Sequence, residues 1–315
     1  MAEFMAKGAN NLANLKSLSG TESVLIERRL LEIRELADQL INCALEEYGE
    51  LNDVYELLSI LSEDYESAQV DIHPEAIDEN KPMLQRYLVG FGTLDKRLFC
   101  EALPEICQSR GIDLSEVGFI ANRSSKSTYT YVKNPLSDEA YDVFTEGDAD
   151  SRVFYSPGFK EAAGAVVDGV VDWCLLPLEE RGDRIHSVNQ IIFNHDLKIV
   201  DITPVFGLDG MSDMKYAKIG KYLNLPKTGE DDDRYLEIRI PTDSGESVGE
   251  IISMAELYGN SVYRINTEAF SAEGEERVYY SIVFRDEGGG FARLLTYLTL
   301  FTGEYILVGI YKNLE

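Results

Sequence analysis

FKEAAGAVVDGVVDWCLLPLEE, residues 159–180, reads as a helix over 159–167 running into a strand over 173–176. Outward from it, β-rich runs at 117–121, 128–132, 152–155 and 199–205 alternate with helical stretches at 138–145 and 185–193. Strands that alternate with helices predict an α/β layer with a largely parallel sheet. The acidic stretch LPKTGEDDD, residues 225–233, reads as a linker closing this region.

Upstream the texture is helical. Ile26, Leu30, Ile33, Ala37, Leu40 and Ala44 recur at three and four, and Leu51, Tyr55, Leu58 and Leu61 repeat that spacing beyond Gly49. His73, Pro74 and Pro82 interrupt the pattern, 83–90 and 94–110 resume it, and Gly111 stops it. Residues 1–4 are set aside, since Met5 follows Met1 closely. Downstream, Leu236, Ile238 and Ile240 alternate on a strand, and Ser247 and Glu250 form a capping-box pattern for a helix to Tyr258. Strands at 262–270 and 278–285, a helix ending at Phe301 and a strand at 305–311 complete a βαββαβ order, the ferredoxin-like arrangement. The expected organisation is therefore α+β and α/β in several domains: a helical N-terminal region over 1–112, an α/β domain over 113–226 and a βαββαβ domain over 234–315. Gly288, Gly289 and Gly290 lack phosphate-loop spacing and read as a turn.

Composition excludes several function classes. The 315 residues are 44% hydrophobic and 27% charged, with no apolar run of the ~20 residues that a membrane span needs. Lys and Arg total 29 against 56 Asp and Glu, a net charge of -27, which opposes nucleic acid and anionic membranes as partners. Cys43, Cys100, Cys107 and Cys174 form no Cys-x-x-Cys pair and read as buried thiols of a reducing compartment. No secretory signal is read at the N-terminus, so the cytoplasm is the expected location. His73, His186 and His195 form no ligand pair, so neither a metal nor another cofactor is expected.

The opening stretch resembles the prephenate dehydratase family. That family's pattern has a Phe, an Ala-Val, a Gly three residues on, an Asp before an aromatic residue, and Leu-Pro-Ile-Glu-Asn-Ser. Here those places hold Phe159, Ala165, Val166, Gly169, Asp172, Trp173 and Leu176-Pro177-Leu178-Glu179. Residues 131–141, with Ser137, resemble the family's first strand, loop and Ser-led helix, and 213–220 resemble its Thr-Arg-Phe region. Residues 235–315 resemble the ACT regulatory domain that follows in this family. The resemblance implies a periplasmic-binding-protein-type central domain, and the domain order is that of bifunctional chorismate mutase/prephenate dehydratases. Arg34, Ala37, Asp38 and Leu40 are similar to that mutase's first helix, but 45–80 contain no Lys or Arg to surround a dicarboxylate. A helical platform for dimerisation fits that region better than mutase chemistry.

Prephenate is a dianion that loses hydroxide and carbon dioxide together, so its site must supply positive charge and a proton donor. The resemblance makes Lys215, Tyr216 and Glu179 the catalytic candidates and Ser137, Arg181 and Arg184 candidate ligand contacts. In the ACT-like part, Gly245, Val248 and Glu268 are the candidate effector contacts. Met214 stands where the family has the threonine hydroxyl, Lys215 where it has the arginine, and Glu180 and Arg181 where it has Asn and Ser. Lysine cannot make arginine's two-pronged carboxylate bond, and Glu180 adds an anion. Only 29 residues lie between Gly182 and Ser212, too few for a full second lobe. Helix 94–110 and strand 117–121 are candidates to replace the missing wall.

Three readings follow. One is a non-catalytic regulatory protein linked to aromatic amino-acid metabolism, binding an aromatic amino acid or carboxylate. The others are a working prephenate dehydratase, forming phenylpyruvate for L-phenylalanine biosynthesis, and a related enzyme on another carboxylate. The substitutions favour the first. A homodimer is expected, because a ferredoxin-like unit presents sheet edges and ACT-like domains commonly pair.

Overall fold

The computed structural model describes residues 20–48, 91–112, 114, 116, 127–206, 214–225, 233–245, 247–272 and 274–313. The expected helix at 83–90, the strand at 117–121 and the part of the 21–69 pattern beyond Tyr48 lie outside them. The chain divides into two compact units, Met1–Asp113 and Leu114–Glu315.

In the first unit, α1 (Gly20–Tyr48) packs against α2 (Thr93–Ser109). The apolar stripe is the contact: Ile33, Ala37, Leu40 and Ile41 are buried, as are Leu98, Phe99, Ala102, Leu103 and Ile106. Two of the residues similar to the mutase helix hold the helices together. Arg34 pairs with Glu105 at 2.5 Å, and Asp38 with Arg110. Ala37 and Leu40 are core, so all four positions are used in packing.

The second unit is built on a mixed sheet, ten-stranded among the described residues. Its elements are β1 (Thr128–Tyr131), α3 (Pro135–Phe144), β2 (Arg152–Tyr155), α4 (Phe159–Val167), β3 (Trp173–Glu180), β4 (Asp183–Arg184), α5 (His186–Asn194), β5 (Lys198–Val205) and β6 (Met214–Gly220). These are followed by β7 (Arg234–Pro241), α6 (Val248–Leu257), β8 (Asn260–Ala272), β9 (Glu275–Asp286), α7 (Ala292–Phe301) and β10 (Ile306–Asn313). The strand order is β2-β1-β3-β6-β5-β10-β7-β9-β8, with β4 on β3. None of the described helices is long and apolar enough to cross a membrane.

The stretch at 159–180 folds as its sequence predicts. Ala162, Ala163 and Val166 of α4 are buried, and Gly169 ends the helix at φ +71. Its N–H bonds to Val166 O and that of Val170 to Ala165 O, the paired bonds of a Schellman end. Asp172 then locks β3 to β1, its carboxylate accepting from Thr128 N at 2.9 Å and Thr128 Oγ1 at 2.5 Å. Gly169 and Asp172, both in the family pattern, thus serve the fold.

Two expectations need correction. The α/β part is not a largely parallel sheet of its own, because β6 runs antiparallel to both neighbours. Nor is the βαββαβ part a separate sheet. Its strands lie in the order β10-β7-β9-β8, all antiparallel, and β10 pairs parallel with β5, so the sheet continues from one part to the other. Gly309 makes that junction possible. A Cβ there would lie 2.1 Å from Ile199 O, so only glycine allows the two backbones to approach.

One apolar cluster covers both parts. Ala162 and Val166 of α4 and Val188, Ile191 and Ile192 of α5 pack with Leu176, Ile199, Ala217 and Ile219, and with Tyr235, Val283, Val308 and Tyr311 from beyond the junction. On the opposite face, Ala140 of α3 packs with Tyr129, Tyr131, Trp173, Leu175, Val205 and Tyr216.

Candidate functional site

A bulge and a tight hairpin assemble the site. Pro177 has no N–H for the ladder, and the β3–β6 register shifts between Pro177 and Glu179. Before the shift, Cys174, Leu176 and Leu178 face the α4–α5 cluster. Without the extra residue, Glu179 would face the other way; with it, Glu179 comes opposite Lys215. Arg181 and Gly182 then turn the chain with φ +54 and +85, the double positive φ of a two-residue hairpin. Arg184 returns opposite Glu179. The residues in place of the family's Asn and Ser thus build a hairpin.

Arg184 is the centre of a buried ionic cluster. Its side chain is 6% exposed, and its Nε forms an ion pair with Glu179 Oε1 at 3.1 Å. Its Nη2 donates to Glu237 Oε2 at 2.5 Å and to Tyr311 OH at 3.4 Å. Tyr311 OH in turn donates to Glu237 at 2.8 Å. Arg264 of β8 donates to the same Glu179 oxygen at 2.9 Å. Beside them, Asn189 of α5 donates to Glu268 at 2.9 Å and accepts from Arg239 at 3.4 Å. Arg239 also lies 4.4 Å over the Phe270 ring, which stacks on Phe193 of α5.

The electrostatics follow from burial and pairing. Burial raises the Glu237 carboxyl, but Arg184 and Arg239 outweigh it and hold the group below its ordinary value. Burial, then the Glu237 charge, pushes the Tyr311 phenol well above its ordinary value, so it remains a donor. Burial pulls the Arg239 guanidinium down, against the pull of Glu237 and Glu268.

Next to this cluster lies a cavity of about 30 Å³, lined by Glu179, Arg184, Ile202, Lys215, Tyr235, Tyr263, Arg264, Val283 and Tyr311. Of the candidates named from sequence, Glu179, Arg184 and Lys215 therefore converge. Tyr216 does not join them. Adjacent strand residues point to opposite faces, and Tyr216 is buried with Met214 in the α3 cluster, where burial raises its phenol against an opposing bond from Asn134. Ser137 is 1% exposed and committed to the α3 cap, its Oγ donating to Val132 O and accepting from Asn134 N. Arg181 is exposed in the hairpin turn. Gly245, at φ +78, and Val248, the first residue of α6, do not line the cavity. Glu268 is engaged by Asn189. Arg264, Glu237, Arg239 and Tyr311 were not foreseen. Their charges and hydroxyls sit on alternating strand positions that read as a solvated face.

No family model matches the chain, and no curated protein matches it. Solved structures do. A prephenate dehydratase from Streptococcus mutans is 15% identical, covering 60% of this chain and 99% of its own, with a TM-score of 0.46. GqqA, described as a novel type of quorum quenching acylase, is 16% identical over 59% of this chain and 95% of its own, at a TM-score of 0.42. A prephenate dehydratase from Arthrobacter aurescens in complex with L-Phe is 12% identical over 58% and 89%, also at 0.42. At these identities and scores the likenesses carry no weight for activity or ligand.

Proposed function

We propose that this chain is a divergent, non-catalytic protein with a prephenate-dehydratase-like central domain and a C-terminal ACT-like domain. It acts as a regulatory binder of an aromatic amino acid or other small carboxylate, linked to aromatic amino-acid metabolism. One observation carries the reading: Glu179 and Arg184, which the resemblance assigns to the site, are bonded to each other, and Arg184 is bonded to Glu237 in a buried cluster. A cavity of about 30 Å³ lies beside them and is lined by both residues. Met214, where the family has a hydroxyl, packs among aromatic side chains on the other face of the sheet. The order β2-β1-β3-β6-β5, with β6 antiparallel, supports a single periplasmic-binding-protein-type lobe. The βαββαβ order supports the ACT-like assignment.

The reading is tested by the melting temperature of the purified chain with chorismate, prephenate, L-phenylalanine and L-tyrosine in turn. A native-state ligand raises stability by mass action, and an aromatic amino acid is expected to raise the melting temperature while prephenate does not. A rise with prephenate alone contradicts the reading. The same reading includes a homodimer. β8, thirteen residues long, forms one edge of the sheet, with Tyr263 and Ile265 exposed. Light scattering at micromolar concentration is expected to give twice the chain mass, and a monomer would refute the pairing.

A further inference from the structure

We propose that the outer edge of β2 binds a second copy of this chain, the two β2 strands pairing antiparallel across a two-fold axis at Phe154. Among the described residues β2 is the terminal strand of the sheet, at the end opposite β8. The amides of Arg152 and Ser156 donate inward, to Ser127 O and Tyr131 O on the β1 side. Alternation turns the backbone groups of Val153 and Tyr155 outward, where a further strand can meet them. Soluble proteins protect such edges with a charge or a proline inside the strand. Here Val153, Phe154 and Tyr155 are an uncharged run, with Arg152 before it and Pro157 only after it. Phe154 is 54% exposed and Tyr155 52%, and a strand laid alongside would cover both rings.

Charge selects the occupant. Glu146, Asp148 and Asp150 precede the run together with Arg152, which leaves two negative charges at that end. Lys133, 4.4 Å over the Tyr155 ring, and Lys160 stand at the other end with Glu161, which leaves one positive charge. A chain of net charge -27 repels its own copy over most of its surface, so a contact between copies must bring opposite charges together. Antiparallel pairing does so, because the acidic end of each strand meets the lysine end of the other. Val153 opposite Tyr155 of the second copy uses the outward backbone groups. It also sets Phe154 against its own counterpart in a non-hydrogen-bonded pair, where side chains approach most closely. This contact goes beyond the proposed function, whose homodimer uses β8. Two such contacts at opposite ends of one sheet give an assembly larger than a dimer.

The test is mild oxidation of the full chain carrying Phe154→Cys, read on a non-reducing gel. The axis places the two Cα atoms of residue 154 about 4.5 Å apart, within the range that a disulfide spans. The control is Val170→Cys, 71% exposed but in the turn that leads into β3. Phe154→Cys is expected to form a reducible covalent dimer at least about tenfold faster than Val170→Cys. Sedimentation velocity supplies the second arm. Ile265→Lys, which disables the β8 edge, is expected to keep a monomer–dimer equilibrium. Adding Phe154→Lys, which sets like charges opposite each other, is expected to weaken that equilibrium by about tenfold or more. Equal cross-linking at 154 and 170, or an Ile265→Lys chain that stays monomeric to roughly 500 μM, overturns the proposal. The two contacts fail separately, since a wild-type mass that Ile265→Lys leaves unchanged counts against β8 alone.

Discussion

Replacing Glu237 with alanine is expected to cost about 3–5 kcal/mol of folding stability, among the largest effects of any single change in this chain. Glu237 is 1% exposed and accepts from both Arg184 and Tyr311. Without it, Arg184 keeps Glu179 and the Tyr311 hydroxyl, and Arg239 loses the larger of its two compensating charges. The cost comes from the orphaned cations, not from the intrinsic worth of the pair. Glu237→Leu combined with Arg184→Met is therefore expected to cost much less than either change alone. Urea denaturation of the two single variants and the double variant measures this, and additive losses would contradict it. The pH dependence has a definite sign. Because the folded state holds the Glu237 carboxyl below its ordinary value, its contribution is complete above the ordinary carboxylate range. It is lost as the pH falls through the depressed value. The gap between wild type and Glu237→Ala is expected to narrow in acid.

Gly309→Val is expected to be comparably damaging for a different reason. Any Cβ at this position meets Ile199 O at 2.1 Å and Ile199 C at 3.0 Å. Those atoms are backbone, and β5 is paired to β6 on its other side, so the carbonyl has no free direction to move. The strands must part at the junction, at a cost of about 3 kcal/mol, the upper end for overpacking a core, or more. Native-state hydrogen exchange is expected to show lost protection in β5 and β10, while the β8–β9 pairing keeps its own. A variant within about 0.5 kcal/mol of wild type, the range of an ordinary surface change, would contradict the close approach.

Much of the fold was legible because its elements carry their period openly. The helix at 159–167 has the bounds read from sequence, and the βαββαβ order follows from alternating strands and one capping serine. The junction at Gly309 was not legible, since a glycine in a strand states that something approaches closely but not what. The site was half legible. Lys215, Arg184 and Glu179, candidates from the resemblance, line one cavity. Tyr216, next to Lys215 in sequence, lies on the other face of the sheet, as the two-residue period of a strand dictates. Glu237 and Arg239 look like the wet face of a strand whose dry face is Leu236, Ile238 and Ile240. The hairpin and α5, 50 or more residues away in sequence, cover that face. Pro177 could have signalled the bulge, but the turn of Glu179 towards Lys215 depends on which strand lies alongside.

We propose that the residues resembling a dehydratase site serve as a structural ion cluster. Incubation of the purified chain with prephenate, followed by assay of phenylpyruvate, tests it most directly. Met214 offers no hydroxyl, Glu179 is bonded to two arginines, and Tyr216 faces the other side of the sheet. Phenylpyruvate is therefore expected to form no faster than in buffer alone. A kcat of about 1 per second or more, within the ordinary enzyme range, would contradict the account.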